Sequence, residues 1–163
     1  MSVNKYRPHV FVLPEDDANR RIANGFLLEE SLDLRAIQVL PNGGGWTRVR
    51  DAFETAHINK MRLHRVRHVV LLVDFDGDVD RRHAMNEVVP ADLADRVFVI
   101  GVWSEPQELA RAGLGNFEDI GHDLARECRN DSRVKWNHDL LQHNASELDR
   151  MTSRLRPFLF PGQ

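Results

Sequence analysis

The chain has 163 residues and a mass of 18.8 kDa, with 42% hydrophobic residues, 29% charged residues and a formal net charge of -3. This composition excludes a disordered chain, and the near-neutral charge gives no whole-molecule argument for nucleic-acid binding. The single cysteine, Cys128, excludes an intramolecular disulfide, and no apolar run approaches the ~18 residues of a membrane span. We therefore expect a single cytoplasmic domain over residues 1–163, with no membrane partner.

Four apolar runs predict β-strands, and helical patterns lie between them. The strand runs are 9–13, 35–40, 68–73 and 96–103. Three of these runs are nearly continuous in Val, Ile, Leu and Phe, which is typical of parallel strands covered on both faces. The helical patterns between the strands are 16–30, 47–64 (with Thr47 as its expected cap) and 80–89, and a long segment from Trp136 to about Arg154 closes a series of helical patterns after the last strand.

This βαβαβαβ order predicts an α/β domain of three layers around a central four-stranded, mainly parallel, Rossmann-like sheet. Its core would cover about 9–103. A helical C-terminal extension would cover about 104–163.

Acidic side chains follow three of the four predicted strands. They are Glu15, Asp16 and Asp17 after the first strand, Asp74, Asp76 and Asp78 after the third, and Glu105 and Glu108 after the fourth. Because ligands bind beyond the carboxyl ends of the strands in an open parallel sheet, we expect these groups at one edge. Their oxygens suit Mg²⁺ or Mn²⁺. The alternative is helix capping, and Asp16 or Asp78 could do only that.

Arginines and glycines near the same edge are candidates for binding a substrate phosphate, because arginine forks and glycine-loop backbones suit phosphate geometry. The candidates are Arg20, Arg21, Gly43, Gly44, Arg48 and Arg81. Trp46 and Trp103 also lie near this edge. Each could stack on a base or simply pack between a helix and the sheet.

The order of these residues resembles the TOPRIM family, which includes the catalytic domains of topoisomerases and bacterial primases, OLD-family nucleases and ribosomal-RNA maturases. The matching residues are Glu15 in "VLPEDD", the glycines of "LPNGGGW", and Asp74 and Asp76 in "LLVDFDGD". The resemblance covers roughly residues 9–103. It implies that Asp74 and Asp76 hold Mg²⁺ or Mn²⁺, that Glu15 is a further ligand or moves a proton, and that Asp78 is a third acidic position.

The activity implied by this resemblance is that of a metal-dependent nuclease or phosphodiesterase acting on DNA, RNA or a phosphate ester, closest in type to the OLD-family and maturase nucleases. The sequence leaves open whether the protein forms a homo-oligomer. Two features depart from the family pattern: Pro14 precedes Glu15, and Asp16 stands where many members have glycine. The only tyrosine, Tyr6, lies before the first strand, so strand passage of the topoisomerase type is not expected.

Two alternatives remain. The segment "VDFDGD" also resembles the first motif of haloacid dehalogenase-like phosphatases, in which Asp74 would be the nucleophile and Asp76 the acid or base. That family needs a later lysine, and only Lys135 follows Asp76. The other alternative is a TOPRIM-like module that binds metal or nucleic acid without turnover.

Overall fold

The computed structural model describes residues 2–162 and contains the expected parallel sheet. Its strands are β1 (His9–Pro14), β2 (Ile37–Val39), β3 (Arg67–Leu72) and β4 (Val97–Ile100), and they lie in the order β2-β1-β3-β4. All three strand pairs are parallel. The prediction of an α/β, Rossmann-like sheet is therefore confirmed.

Helices cover both faces of the sheet. They are α1 (Asp17–Phe26), α2 (Trp46–Ala52), α3 (Ile58–Leu63), α4 (Val79–Glu87), α5 (Pro106–Arg111), α6 (Phe117–Asn130), α7 (Ala145–Arg154) and α8 (Arg156–Leu159). One core contains Val10 and Val70 from the sheet with Ile22 of α1 and Leu124 of α6. The other contains Leu71 with side chains of α2 to α4. The alternation of side chains along each strand thus builds the three predicted layers.

Three local predictions need correction. Helix α1 ends at Phe26 instead of reaching residue 30. Thr47 lies inside α2, and the cap position is Gly45, whose φ of 134° favours glycine. The C-terminal segment is helical from Ala145, after turns and a short 3₁₀ helix. Within residues 2–162, no helix has the length and apolar composition needed to cross a membrane.

The outer edge of β4 is covered by side chains from the start of α7 and the turn before it. Val99 N–H donates to Glu147 Oε2 at 2.8 Å, and Asn144 bonds both the N–H (3.2 Å) and the C=O (3.0 Å) of Gly101. Asn144 is fully buried. Because exposed strand edges invite pairing with other chains, these side chains protect the sheet.

Helices α1 and α6 cross at two glycines. A Cβ atom on Gly25 would lie 2.1 Å from the backbone oxygen of Glu118, and one on Gly121 would lie 1.9 Å from that of Ile22. Such distances are far inside van der Waals contact, so only glycine permits this approach. The crossing fixes α1, whose first turn lies at the carboxyl edge of the sheet.

Candidate metal and phosphate site

The ends of β1 and β3 bring Glu15 and Asp74 together. Pro14 is paired with Leu72, and Glu15 N–H donates to Leu72 O at 2.9 Å. The Glu15 side chain then reaches across, where its Oε2 accepts the backbone N–H of Asp74 at 2.6 Å. The expectation that Glu15 and Asp74 meet at one edge is met.

The Asp74 segment is also fixed on its other side, by the chain that follows β4. Phe75 N–H donates to Val102 O at 3.0 Å, and Gly77 N–H donates to Trp103 O at 2.7 Å. A Cβ atom on Gly101 would lie 1.6 Å from the backbone oxygen of Val73, so this close approach requires glycine. The backbone that carries Asp74 is held between β1 and the β4 extension.

Asn19, which the sequence interpretation did not single out, joins Asp74 to Asp16. Its Nδ2 donates to Asp16 Oδ1 at 2.9 Å and to Asp74 Oδ1 at 3.0 Å. Asp16 also caps α1 by accepting the Asn19 backbone N–H at 2.9 Å. The spacing Asp16-x-x-Asn19 is one helical turn, and this is the signal by which the residue could have been found.

Burial dominates the electrostatics of the site. Asp74 is only 8% exposed, and burial, with further contributions from Glu15 and Asp16, raises its pKa to about 7 against the opposing hydrogen bond from Asn19. Burial also raises the pKa of Glu15, although the hydrogen bond from Asp74 N–H and the charge of Arg81 oppose this. These carboxyl groups are therefore costly to ionise together without a cation.

The described residues give these carboxylates no cationic partner in direct contact. Within residues 2–162, Glu15, Asp16 and Asp74 take part in no ion pair shorter than 4.0 Å. Over the same residues, no three His, Cys, Asp or Glu side chains are grouped closely enough to hold a metal ion by themselves. Mg²⁺ often binds through one or two carboxylates and keeps its waters. Asp74 and Glu15 could supply the one or two carboxylates that such an ion needs.

Within residues 2–162, no hydrogen bond joins the side chains of Asp76, Asp78 or Glu105 to the Asp74 carboxylate. The Asp76 side chain is 74% exposed, its backbone is left-handed with a φ of 52°, and its carboxylate lies 3.8 Å from Arg81. Asp78, predicted as a further metal ligand, is the N-cap of α4, where it accepts the Asp80 N–H at 2.9 Å, as the capping alternative described. Glu105 is exposed at the start of α5 and makes no capping hydrogen bond from its side chain.

Arg81, a predicted phosphate ligand, lies beside Glu15 and Asp74. Its Nη1 donates to the backbone oxygen of Asp74 at 2.7 Å, and its guanidinium carbon lies 5.2 Å from the ring centre of Trp46. Arg50 also approaches this ring, at 5.3 Å. Trp46 therefore helps to position Arg81, which leaves the arginine side chain 17% exposed beside the site.

The other residues predicted to bind a phosphate already have hydrogen-bond or ion-pair partners or are exposed to solvent. Arg20 pairs with Asp17, and Arg21 makes a two-bond ion pair with Glu118 of α6, at 2.7 and 3.1 Å. Arg48 is exposed beside the glycine loop. The N–H groups of Gly43 and Gly44 each donate at 2.9 Å, to Pro14 O and Glu15 O respectively. A phosphate would have to displace these two bonds to use the glycine amides.

Lys135, the only lysine after Asp76, and Cys128, the single cysteine, both lie in structural contacts. Lys135 donates to Leu114 O at 2.9 Å and pairs with Asp123 of α6. The surroundings of the Cys128 thiol desolvate it and raise its pKa to about 12, which keeps it protonated at neutral pH.

Comparison of the chain with protein-family models, with curated proteins and with solved structures gave no match.

Proposed function

We propose that the protein is a Mg²⁺- or Mn²⁺-dependent phosphodiesterase of the nuclease type, with Asp74 and Glu15 at its centre. The observation that carries this proposal is the buried Asp74 carboxylate, which Glu15 and Asp16 flank while no ion pair neutralises it within residues 2–162. Burying uncompensated negative charge costs stability. A divalent cation offsets that cost, and phosphate esters are the substrates that share such a cation.

The residues of the site divide the chemistry between them. A bound Mg²⁺ would neutralise the phosphate and make a water more acidic. Asp74 would hold the ion, with Asp16 beside it. Glu15, whose pKa is raised by burial, would accept a proton from the attacking water. The water oxygen forms the new bond to phosphorus, the ester P–O bond breaks, and the proton passes to the leaving oxygen.

Arg81 would hold a non-bridging phosphate oxygen. Its guanidinium is fixed by the Asp74 backbone oxygen and the Trp46 ring, so little freedom is lost when a phosphate binds. The 3.8 Å contact with the exposed Asp76 carboxylate is loose enough to be exchanged for a substrate oxygen.

The proposal is tested with a panel of single-stranded and double-stranded DNA, RNA and bis-p-nitrophenyl phosphate, each with Mg²⁺, with Mn²⁺ and with EDTA. We expect hydrolysis of at least one diester that EDTA abolishes and that Asp74→Asn abolishes. The matched control is Asp92→Asn, because Asp92 lies before β4 at the opposite edge and pairs with Arg62 at 3.0 Å.

The same panel separates the two alternatives. Metal binding without turnover of any substrate would identify a binding module. A monoester phosphatase that forms a beryllofluoride adduct on Asp74 would identify haloacid dehalogenase-like chemistry, and either result would contradict the nuclease proposal.

A further inference from the structure

A single neutral side chain holds two acidic side chains of the site in place. Asn19 is fully buried, and its Nδ2 donates to Asp16 Oδ1 at 2.9 Å and to Asp74 Oδ1 at 3.0 Å. A carboxamide nitrogen carries two N–H groups, so one Asn can serve two carboxylates at the same time. The two acidic groups therefore approach each other at a position that Asn19 sets.

The orientation of the Asn19 amide is also determined by these contacts. Its Oδ1 is buried and has no hydrogen-bond partner among residues 2–162. Turning the amide over would place that oxygen against two carboxylate oxygens, which repel it. The unpaired oxygen costs free energy, and this cost persists in the fold because the NH₂ group satisfies both acids.

The neutrality of Asn19 matters for what else the carboxylates can bind. A Lys or Arg at this position would also join Asp16 to Asp74, but its charge would cancel theirs and repel a metal ion. An amide aligns the oxygens and leaves their negative charge available. Groups that orient metal ligands from behind commonly act in this way.

We propose that Asn19 is a positioning residue that holds Asp16 and Asp74 as paired ligands for one divalent cation. This inference rests on the proposed metal-dependent function. It makes Asp16 the direct partner of Asp74 in a set of two carboxylate ligands, with Glu15 reaching the ion through water, and it assigns the alignment of that pair to a buried amide.

The first test measures Mn²⁺ affinity by isothermal titration for the wild type, Asn19→Leu and Asn19→Ser. Leu has a similar size and no donor, so Asn19→Leu should weaken Mn²⁺ binding by about 10- to 100-fold. The hydroxyl of Asn19→Ser should restore part of the affinity. The matched control is Asn144→Leu, because Asn144 is also fully buried but bonds only backbone groups. It should lose stability and keep its Mn²⁺ affinity within about twofold.

The second test needs no substitution at Asn19. In ¹H–¹⁵N spectra of the wild-type protein, the side-chain NH₂ signals of Asn19 should shift on addition of Mg²⁺, while those of Asn144 stay in place. A wild type that binds no Mn²⁺ would contradict the proposed function and this inference together. A wild type that binds Mn²⁺, with unshifted Asn19 NH₂ signals or with full affinity in a folded Asn19→Leu variant, would contradict this inference alone.

Discussion

Glu15 Oε2 accepts the backbone N–H of Asp74 at 2.6 Å, which ties the ends of β1 and β3 together through a side chain. The Glu15 carboxylate also receives a backbone hydrogen bond from Trp46. The hydrogen bond between Glu15 and Asp74 also brings the two residues into a region where burial raises the pKa of both carboxyl groups. Structure and chemistry therefore depend on the same contact.

Glu15→Gln should separate these two roles. The amide oxygen of Gln can still accept the Asp74 N–H, so the thermal unfolding temperature should change little. A Gln cannot take up a proton, and the hydrolytic rate should fall by ~10²-fold or more. The measurement is kcat/KM on the best diester substrate, with the exposed Glu54→Gln as control. An unfolded Glu15→Gln protein, or one with full activity, would contradict the assignment.

Asp74→Asn should raise stability at alkaline pH in the absence of metal. Because the folded-state pKa of Asp74 is about 7, well above that of an ordinary Asp, the wild type loses stability as pH rises from about 4 to about 7. The variant lacks this loss. We expect it to exceed the wild type by ~4 kcal/mol in unfolding free energy at pH 8, and the difference should shrink towards pH 4. Urea unfolding across this pH range in EDTA measures it, and a difference independent of pH would contradict the raised pKa.

Arg81→Lys should weaken substrate binding while the fold persists. Lysine keeps the charge, but it lacks the planar fork that bonds Asp74 O while facing a phosphate. We expect KM to rise about tenfold or more, the scale of one lost charge-assisted hydrogen bond. Steady-state kinetics would show this. Arg62→Lys, which alters an exposed ion pair with Asp92, is the control and should leave KM unchanged.

Gly121→Ala should destabilise the protein more than an ordinary helix substitution, although alanine favours helices. The new Cβ would meet Ile22 O at 1.9 Å, so α1 and α6 would have to separate. We expect a loss of ~2 kcal/mol or more in unfolding free energy. The exposed Arg126→Ala on the same helix should cost much less. Chemical unfolding compares the two, and equal stabilities would show that the helices are not held at this crossing.

The sequence predicted the sheet well because three of its four strands are nearly continuous apolar runs, and such runs occur where both faces are covered. It also placed Glu15 and Asp74 at one edge, since parallel strands end on the same side. Side-chain direction was less predictable. Asp74 and Asp76 are two residues apart, yet one is buried and the other is 74% exposed, because the left-handed backbone at Asp76 turns the chain towards solvent.

The contact of Asn19 with Asp74 could not be predicted from the sequence for a related reason, although the position of Asn19 one helical turn after Asp16 could. A helix with Asp16 as its N-cap presents Asn19 one turn later, but only the packing of α1 against the sheet shows that this face meets Asp74. Similarly, the roles of Gly101 and Gly121 depend on elements distant in the chain that approach them closely. Such contacts are tertiary, and local patterns do not encode them.

The location of a bound metal ion tests the central claim most directly. Crystals soaked in Mn²⁺ would be measured for anomalous scattering at the manganese edge, with Asp74→Asn crystals treated in the same way. We predict a peak with a carboxylate oxygen of Asp74 at roughly 2.2 Å and with Glu15 in contact directly or through one water, and no such peak in the variant. A wild-type crystal with no peak beside Asp74, or with Mn²⁺ bound only elsewhere on the protein, would contradict it.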